Sequence, residues 1–214
     1  MADPRSVRMH SEDRRRQILD VAVDLFAKKG FAGTTTKEIA AAAGVNEAII
    51  FRHFATKEQL YIAILDAKVC TPEVDSWISH LRDCMERRDD EGLFRALGTK
   101  MIEAFREDER FERLMLYALL EGHEIAKIHH QRMGASFFVL LRDYIAQRQR
   151  EGALREFAPG AVVMAVAGVF RFYAQMSLLC GGSLMPLSDA QIIDTFTGIL
   201  LNGLRPNGEP ARTV

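Results

Sequence analysis

His123, Glu124, His129 and His130 form a cluster of side chains able to hold a metal or move a proton. A pair of histidines clamps one ion best at i, i+4 on a helix. His123 and His130 stand seven apart, so a continuous helix puts them on one face without that spacing. The spacing predicts no metal site. The three cysteines, Cys70, Cys84 and Cys180, are odd in number, widely spaced and outside any C-x-x-C pair. That usage fits a reducing compartment and argues against a disulfide framework or a thiolate zinc site. The sequence holds no G-x-S-x-G, no H-E-x-x-H and no nucleotide-binding loop. It offers no constellation for catalysis and implies no cofactor.

Residues 33–65 point to recognition instead. Thr35-Thr36-Lys37-Glu38 reads as a capping box: the hydroxyl takes an orphan amide and Glu38 reaches back. It opens a short helix that ends near Ala43. Gly44-Val45-Asn46 supplies a turn, with Asn46 capping a second short helix, Glu47-Ala48-Ile49-Ile50-Phe51-Arg52-His53. Ile39, Ala40, Val45, Ile50 and Phe54 place small and branched residues where two helices would meet. This is the layout of a DNA-binding helix-turn-helix, whose second helix must be short and polar where exposed.

Elements of one kind surround this motif. Apolar residues recur at helical spacing along nearly the whole chain, and no stretch alternates like a strand. Ile18, Ala22, Leu25 and Phe26 predict a helix over 11–29, with Gly30 as its stop. Thr56-Lys57-Glu58-Gln59 opens a fourth helix to about Val69, and Thr71-Pro72 a fifth to about Arg87. The charged stretch Glu86–Glu91 reads as a connection. Helices near 91–106, 108–121, 123–150, 159–181 and 189–203 complete an all-α chain of about ten helices.

Composition narrows the class further. At 48% hydrophobic and 27% charged, the chain is an ordinary globular one, which excludes extensive disorder. A net charge of −1 argues for no partner, although residues 1–60 carry +2 and the remainder −3. The longest apolar stretch, Ala161–Phe170, is cut off by Arg171, short of the roughly 20 residues a membrane span needs. The first residues, MADPRSVRMHSEDRRRQ, hold no apolar run. These features predict a soluble, cytoplasmic protein with no membrane partner.

The chain resembles the tetracycline-repressor-like (TetR/AcrR) family over roughly residues 10–65. The resemblance rests on Ile18-Leu19-Asp20-Val21-Ala22, Leu25-Phe26, Gly30-Phe31, Thr34-Thr35, Glu38-Ile39-Ala40, Ala43-Gly44-Val45, Ile50-Phe51-Arg52-His53-Phe54 and Lys57-Glu58, in order and spacing. It implies that Thr35 and Thr36 meet phosphate at a helix N-terminus. It places Asn46, Glu47, Ala48, Ile49 and Arg52 on the groove side of the second helix. Arg52 would read guanine through two hydrogen bonds, and Ala48 or Ile49 would touch a thymine methyl. Phe51 and His53 resemble the aromatic pair that meets backbone, Lys57 resembles a phosphate-clamping lysine, and Ile50 and Phe54 resemble core positions. Arg14-Arg15-Arg16 adds charge that steers toward phosphate or forms a solvated face. Two departures stand out: Glu47 where many members carry lysine or a small residue, and Ala55 where proline is frequent.

The same resemblance implies a C-terminal region that binds a small molecule and builds a dimer. Ala161–Leu179 and Ile192–Leu204 are apolar over more surface than one chain buries, and Ala165 and Gly168 permit close approach of another helix. Nine methionines and thirteen phenylalanines against one tryptophan suit an adaptable apolar interior. Trp77, Met101, Phe105, Met115, Tyr117, Phe137 and Phe138 fall on the helices where the family's pocket sits, with plain core packing as the competing reading. Arg171, inside an apolar helix, needs a carboxylate of protein or ligand if buried, or faces solvent or the dimer seam.

The expected organisation is a helix-turn-helix domain over 10–56, a helical ligand-binding and dimerisation domain over 57–204, and a disordered tail over 205–214. The expected partners are double-stranded DNA, a small-molecule effector and a second copy of the chain. The expected function is a ligand-responsive regulator, a repressor that binds a pseudo-palindromic operator as a dimer and is released by a small apolar or amphipathic molecule. A competing reading is an all-α small-molecule carrier whose helix-turn-helix has lost DNA binding, supported by Glu47 and the near-zero net charge.

Overall fold

The structure is a computed structural model that describes residues 11–69, 71–122, 135–182 and 185–206. These residues form ten α-helices, with no strand among them: α1 Ser11–Lys29, α2 Thr36–Ala42, α3 Glu47–His53, α4 Lys57–Val69, α5 Pro72–Glu86, α6 Asp90–Glu107, α7 Glu109–Leu120, α8 Ala135–Arg150, α9 Pro159–Leu179 and α10 Asp189–Leu204. The ends follow local cap chemistry. Thr35 and Ser188 close capping boxes with Glu38 and Gln191, and Thr71 caps α5 ahead of Pro72. The connection expected over Glu86–Glu91 narrows to Arg87–Asp89. Asp89 accepts from Gly92 N at 2.8 Å, and Asp90 and Glu91 sit in the first turn of α6, where acidic side chains are favoured by the helix dipole. Of the helix expected over 123–150, the part from Ala135 is described, and the His123, Glu124, His129 and His130 cluster lies outside the described residues, as do residues 207–214 of the expected tail.

The helices sort into two compact units. The first holds α1–α4 and α7, the second α5, α6 and α8–α10. The helix-turn-helix region expected over 10–56 lies inside the first unit, which also takes in α4 and, from farther along the chain, α7. Three short helices bury too little apolar surface alone. Leu60, Tyr61 and Ile64 of α4 and Leu114, Met115 and Ala118 of α7 complete one core with Ile18, Phe26, Ile39 and Ile50. Phe26, Phe31 and Tyr61 pack as an aromatic triangle with centroids 4.8–5.7 Å apart. The Tyr61 hydroxyl donates to Leu114 O at 3.2 Å, and burial pushes its pKa above the usual tyrosine value. Arg110 bridges Asp20 and Asp24 of α1 at 3.1 and 3.0 Å.

In the second unit α6 packs against α5, α9 and α10, and α8 against α9. Leu81, Phe94, Leu97, Ile145, Val163, Phe170, Ile192 and Leu201 fill the core. Gly98 of α6 allows the closest approach: a Cβ there would lie 2.6 Å from the Phe170 ring. The start of α6 is tied to the end of α8 through Asp90, which accepts from Tyr144 Oη at 2.6 Å and from Arg148 Nε and Nη2 at 2.9 and 3.0 Å. That two-pronged pair is little exposed and its lone pairs are well used. An 18-residue window of α9 has a mean hydropathy of 1.6, and the 21-residue helix is long and apolar enough to cross a membrane by length and composition alone. The expectation of no such segment rested on the run ending at Arg171, but one charge does not interrupt the wider window.

Candidate nucleic-acid interface

The geometry begins at the α2–α3 turn. Gly44 adopts φ +65°, a left-handed conformation that glycine enters without a Cβ penalty. Its neighbour Val45 donates to Ala40 O at 2.9 Å, and Asn46 then caps α3 by accepting from Ile49 N at 3.0 Å. Ile50 and Phe54 are buried in the core of this unit. With that face anchored, Asn46, Ala48, Phe51 and Arg52 are exposed, and Glu47, Ile49 and His53 are half-buried. Phe51 is 46% exposed and gives this side of α3 an apolar edge beside Arg52. His53 leans on Phe54, and its buried Nε2 has no hydrogen-bond partner.

The two acids of this region are both held. The Thr36 hydroxyl donates to Glu47 Oε1, tying the first turn of α2 to the first turn of α3. Glu47 is therefore a half-buried link between the two helices. Glu38 accepts from Lys29 at 2.7 Å and from Thr35 N at 2.8 Å. The Lys29 bond, followed by those from Thr35, holds its carboxyl at about 2.

Lys57 is half-buried. Its Nζ donates to Thr34 O at 2.7 Å and lies 4.0 Å from the Phe31 ring centroid. Burial lowers its pKa, while Glu58, Glu121 and Glu38 oppose that shift. An ammonium has three donors, so one bond to a carbonyl leaves two. Sequence reading does not find this cradle, because Thr34 and Lys57 are 23 residues apart. Of the arginine run, Arg14 donates to Gln17 at 2.7 Å, Arg15 lies over the Phe54 ring, and Arg16 is exposed. The chemistry displayed is a fork of donors, an apolar edge and a clamped cation around one short helix. That combination can read base edges and hold backbone.

The residues expected at an effector pocket are not all brought together. Trp77, Met101, Phe137 and Phe138 pack half-buried against the second unit's core, and Phe105 is within it. Trp77 Nε1 donates to Ala96 O at 3.2 Å, and its ring lies 5.2 Å from that of Phe137. Met115 and Tyr117 belong to the first unit instead: Met115 is in its core and Tyr117 is exposed. α7 directs its apolar face to the core of the first unit, the unit of which these two are part. Arg171 is exposed, not buried, with its guanidinium 5.4 Å over the Phe105 ring. A cation on an aromatic face keeps its hydration while covering apolar surface.

These features define a helix-turn-helix head of the DNA-binding class. Residues 18–64 match the family model for bacterial regulatory proteins of the tetR family. The chain is 45% identical over 64 residues to the HTH-type transcriptional repressor Rv3405c of Mycobacterium tuberculosis, covering 30% of this chain and 34% of that one. The chain thus matches about a third of the length of the first curated relatives. It is 24% identical over 201 residues to the regulator RutR of Escherichia coli, 90% of this chain and 91% of that one. Among solved structures it resembles AibR in complex with isovaleryl coenzyme A and operator DNA, with a TM-score of 0.64, 23% identity, and coverage of 88% and 98%. That likeness extends the fold to the second unit.

Proposed function

We propose that this protein is a homodimeric, ligand-responsive transcriptional repressor that acts on DNA in the cytoplasm. The observation that carries the reading is α3 itself: Ile50 and Phe54 are buried while Ala48, Phe51 and Arg52 stand outside. Each α3 would enter the major groove at one half-site of a pseudo-palindrome, with half-sites about one helical turn apart or a multiple of it. Lys57, with Thr35 and Thr36, would fix the register on phosphate, and Arg52 would read sequence. The named repressor among the relatives and the DNA complex of AibR support this reading.

Dimerisation is supported by the outer face of α9 and α10. Met164, Phe172 and Ile199 are exposed there, beside a groove of about 330 Å³ lined by Phe157, Ala161, Val162, Ala165, Ile199, Leu200, Gly203 and Leu204. The second unit would bind a small apolar or amphipathic effector and shift the dimer toward a spacing that no longer fits the operator. An effector acts only through its unequal affinity for the two states. No catalytic step is part of this reading.

The experiment is selection of random or genomic DNA by the purified protein at physiological salt, followed by sequencing. A two-fold-symmetric motif is expected. Recovery of no enriched motif by a folded dimer would transfer the proposal to an all-α carrier.

A further inference from the structure

The core of the second unit is apolar, with three exceptions that matter. Tyr173 Oη and Ser177 Oγ of α9 and Thr197 Oγ1 of α10 are buried and have no hydrogen-bond partner. Tyr173 is 3% exposed and Thr197 1%. Tyr173 and Ser177 stand four residues apart, one turn along one face of α9. The Tyr173 ring packs edge-on to Phe196, the residue before Thr197, at 6.1 Å. Tyr173 and Ser177 therefore share one face of α9, and Thr197 follows in the chain the ring on which Tyr173 packs. Native interiors leave few such groups, and an unpaired one bears its full desolvation cost.

Among the described residues the same interior offers no buried cation, since no Lys, Arg or His of this unit is buried. Arg148 is committed to Asp90 and Glu151, and Arg171 is exposed over Phe105. A carboxylate or phosphate brought inside would keep an unpaired charge, the costliest state for a buried group. Hydroxyls both donate and accept, so they suit a neutral oxygen.

We propose that Tyr173, Ser177 and Thr197 form the polar end of the effector site, and that the effector is an uncharged, mainly apolar molecule carrying a hydroxyl or carbonyl oxygen. The proposal rests on the reading of the second unit as effector-binding.

Trp77, the single tryptophan, lies in this unit against Phe137 and reports occupancy by its emission. The full-length protein is titrated with decanol, the methyl ketone of the same length, decanoate and decane, which vary the head group on one chain length. The alcohol and ketone are expected to saturate the signal, with decanoate and decane at least about tenfold weaker. Tyr173→Phe, Ser177→Ala and Thr197→Val should each weaken the alcohol by about threefold to tenfold. The triple variant should lose the preference for alcohol over decane. Because these hydroxyls are unpaired in the free protein, the variants should keep or raise the thermal midpoint, which separates lost binding from lost fold.

Decanoate binding as tightly as decanol overturns the proposal, as does equal affinity in wild type and triple variant, or no saturable response to either neutral probe. A lowered thermal midpoint with unchanged probe binding assigns the hydroxyls to buried water and overturns it too. DNA selection by the same preparation is scored separately. An enriched motif beside a failed head-group test leaves the regulator standing, and failure of both removes it.

Discussion

Arg52 and Lys57 are both cations beside one short helix, yet their surroundings separate their roles. Arg52 is exposed on α3, with a planar fork free to match guanine. Arg52→Ala should relax preference at one base position and cost about 1–3 kcal/mol there, with little effect on unrelated DNA. Lys57 is gripped by Thr34 O and Phe31, so its charge is fixed in place, and in the proposed reading it meets phosphate and reads no base. Lys57→Ala should weaken binding to all sequences alike and reduce the salt slope by about one. Titration of the selected operator and a scrambled duplex at several salt concentrations distinguishes the two; an unchanged slope for Lys57→Ala would confine the lysine to packing within the head. Glu47 marks the limit of sequence reading at this scale. It stands out in sequence as an acid where phosphate is expected, but its partner Thr36 lies eleven residues earlier on another helix. Only the packing of α2 on α3 brings the two together.

The elements were legible wherever their ends are set by chemistry within one turn. Thr35 with Glu38, Asn46 at the start of α3 and Thr71 with Pro72 all form as read, because a cap is a local bond. The grouping of elements was not legible, since it depends on contacts such as Tyr61 to Leu114, 53 residues apart. α7 therefore carries Met115 and Tyr117 to the head, although their types suit a pocket equally well. The α2 start gives a test. Thr35→Ala should cost about 1 kcal/mol of stability. Lys29, followed by the Thr35 bonds, holds the Glu38 carboxyl at about 2 instead of 4.5. A depressed carboxyl stabilises the fold above its unfolded value and loses that contribution as pH falls through the folded one. Urea unfolding of wild type and Lys29→Met should therefore differ at neutral pH and converge between about pH 4.5 and 2; a difference that persists at the acid end would place the effect of Lys29 elsewhere.

At the scale of the whole molecule, the apolar excess of the last two helices is what the sequence foreshadowed and what the folded chain leaves uncovered. Met164, Phe172 and Ile199 are 64%, 65% and 64% exposed, and Ala161, Ala165 and Gly168 keep the surface between them low and open. Arg171 shares that exposed side of α9, so its charge lies at the edge of the apolar face and needs no buried counter-ion. A second copy laid on this face would form a four-helix seam of α9 and α10 from each chain, the same patch meeting itself about a two-fold axis. Phe172→Glu together with Ile199→Glu places like charges in that seam and leaves both helices otherwise intact, because these side chains do not enter the core. The sedimentation mass should halve while circular dichroism stays unchanged. Affinity for a single half-site should hold, whereas affinity for the full operator should fall by about 10²–10⁴, the gain that linking two weak contacts supplies. A double variant that remains a dimer would mean that the seam lies on another face, and one that is monomeric yet binds the full operator undiminished would mean that a single head suffices for recognition.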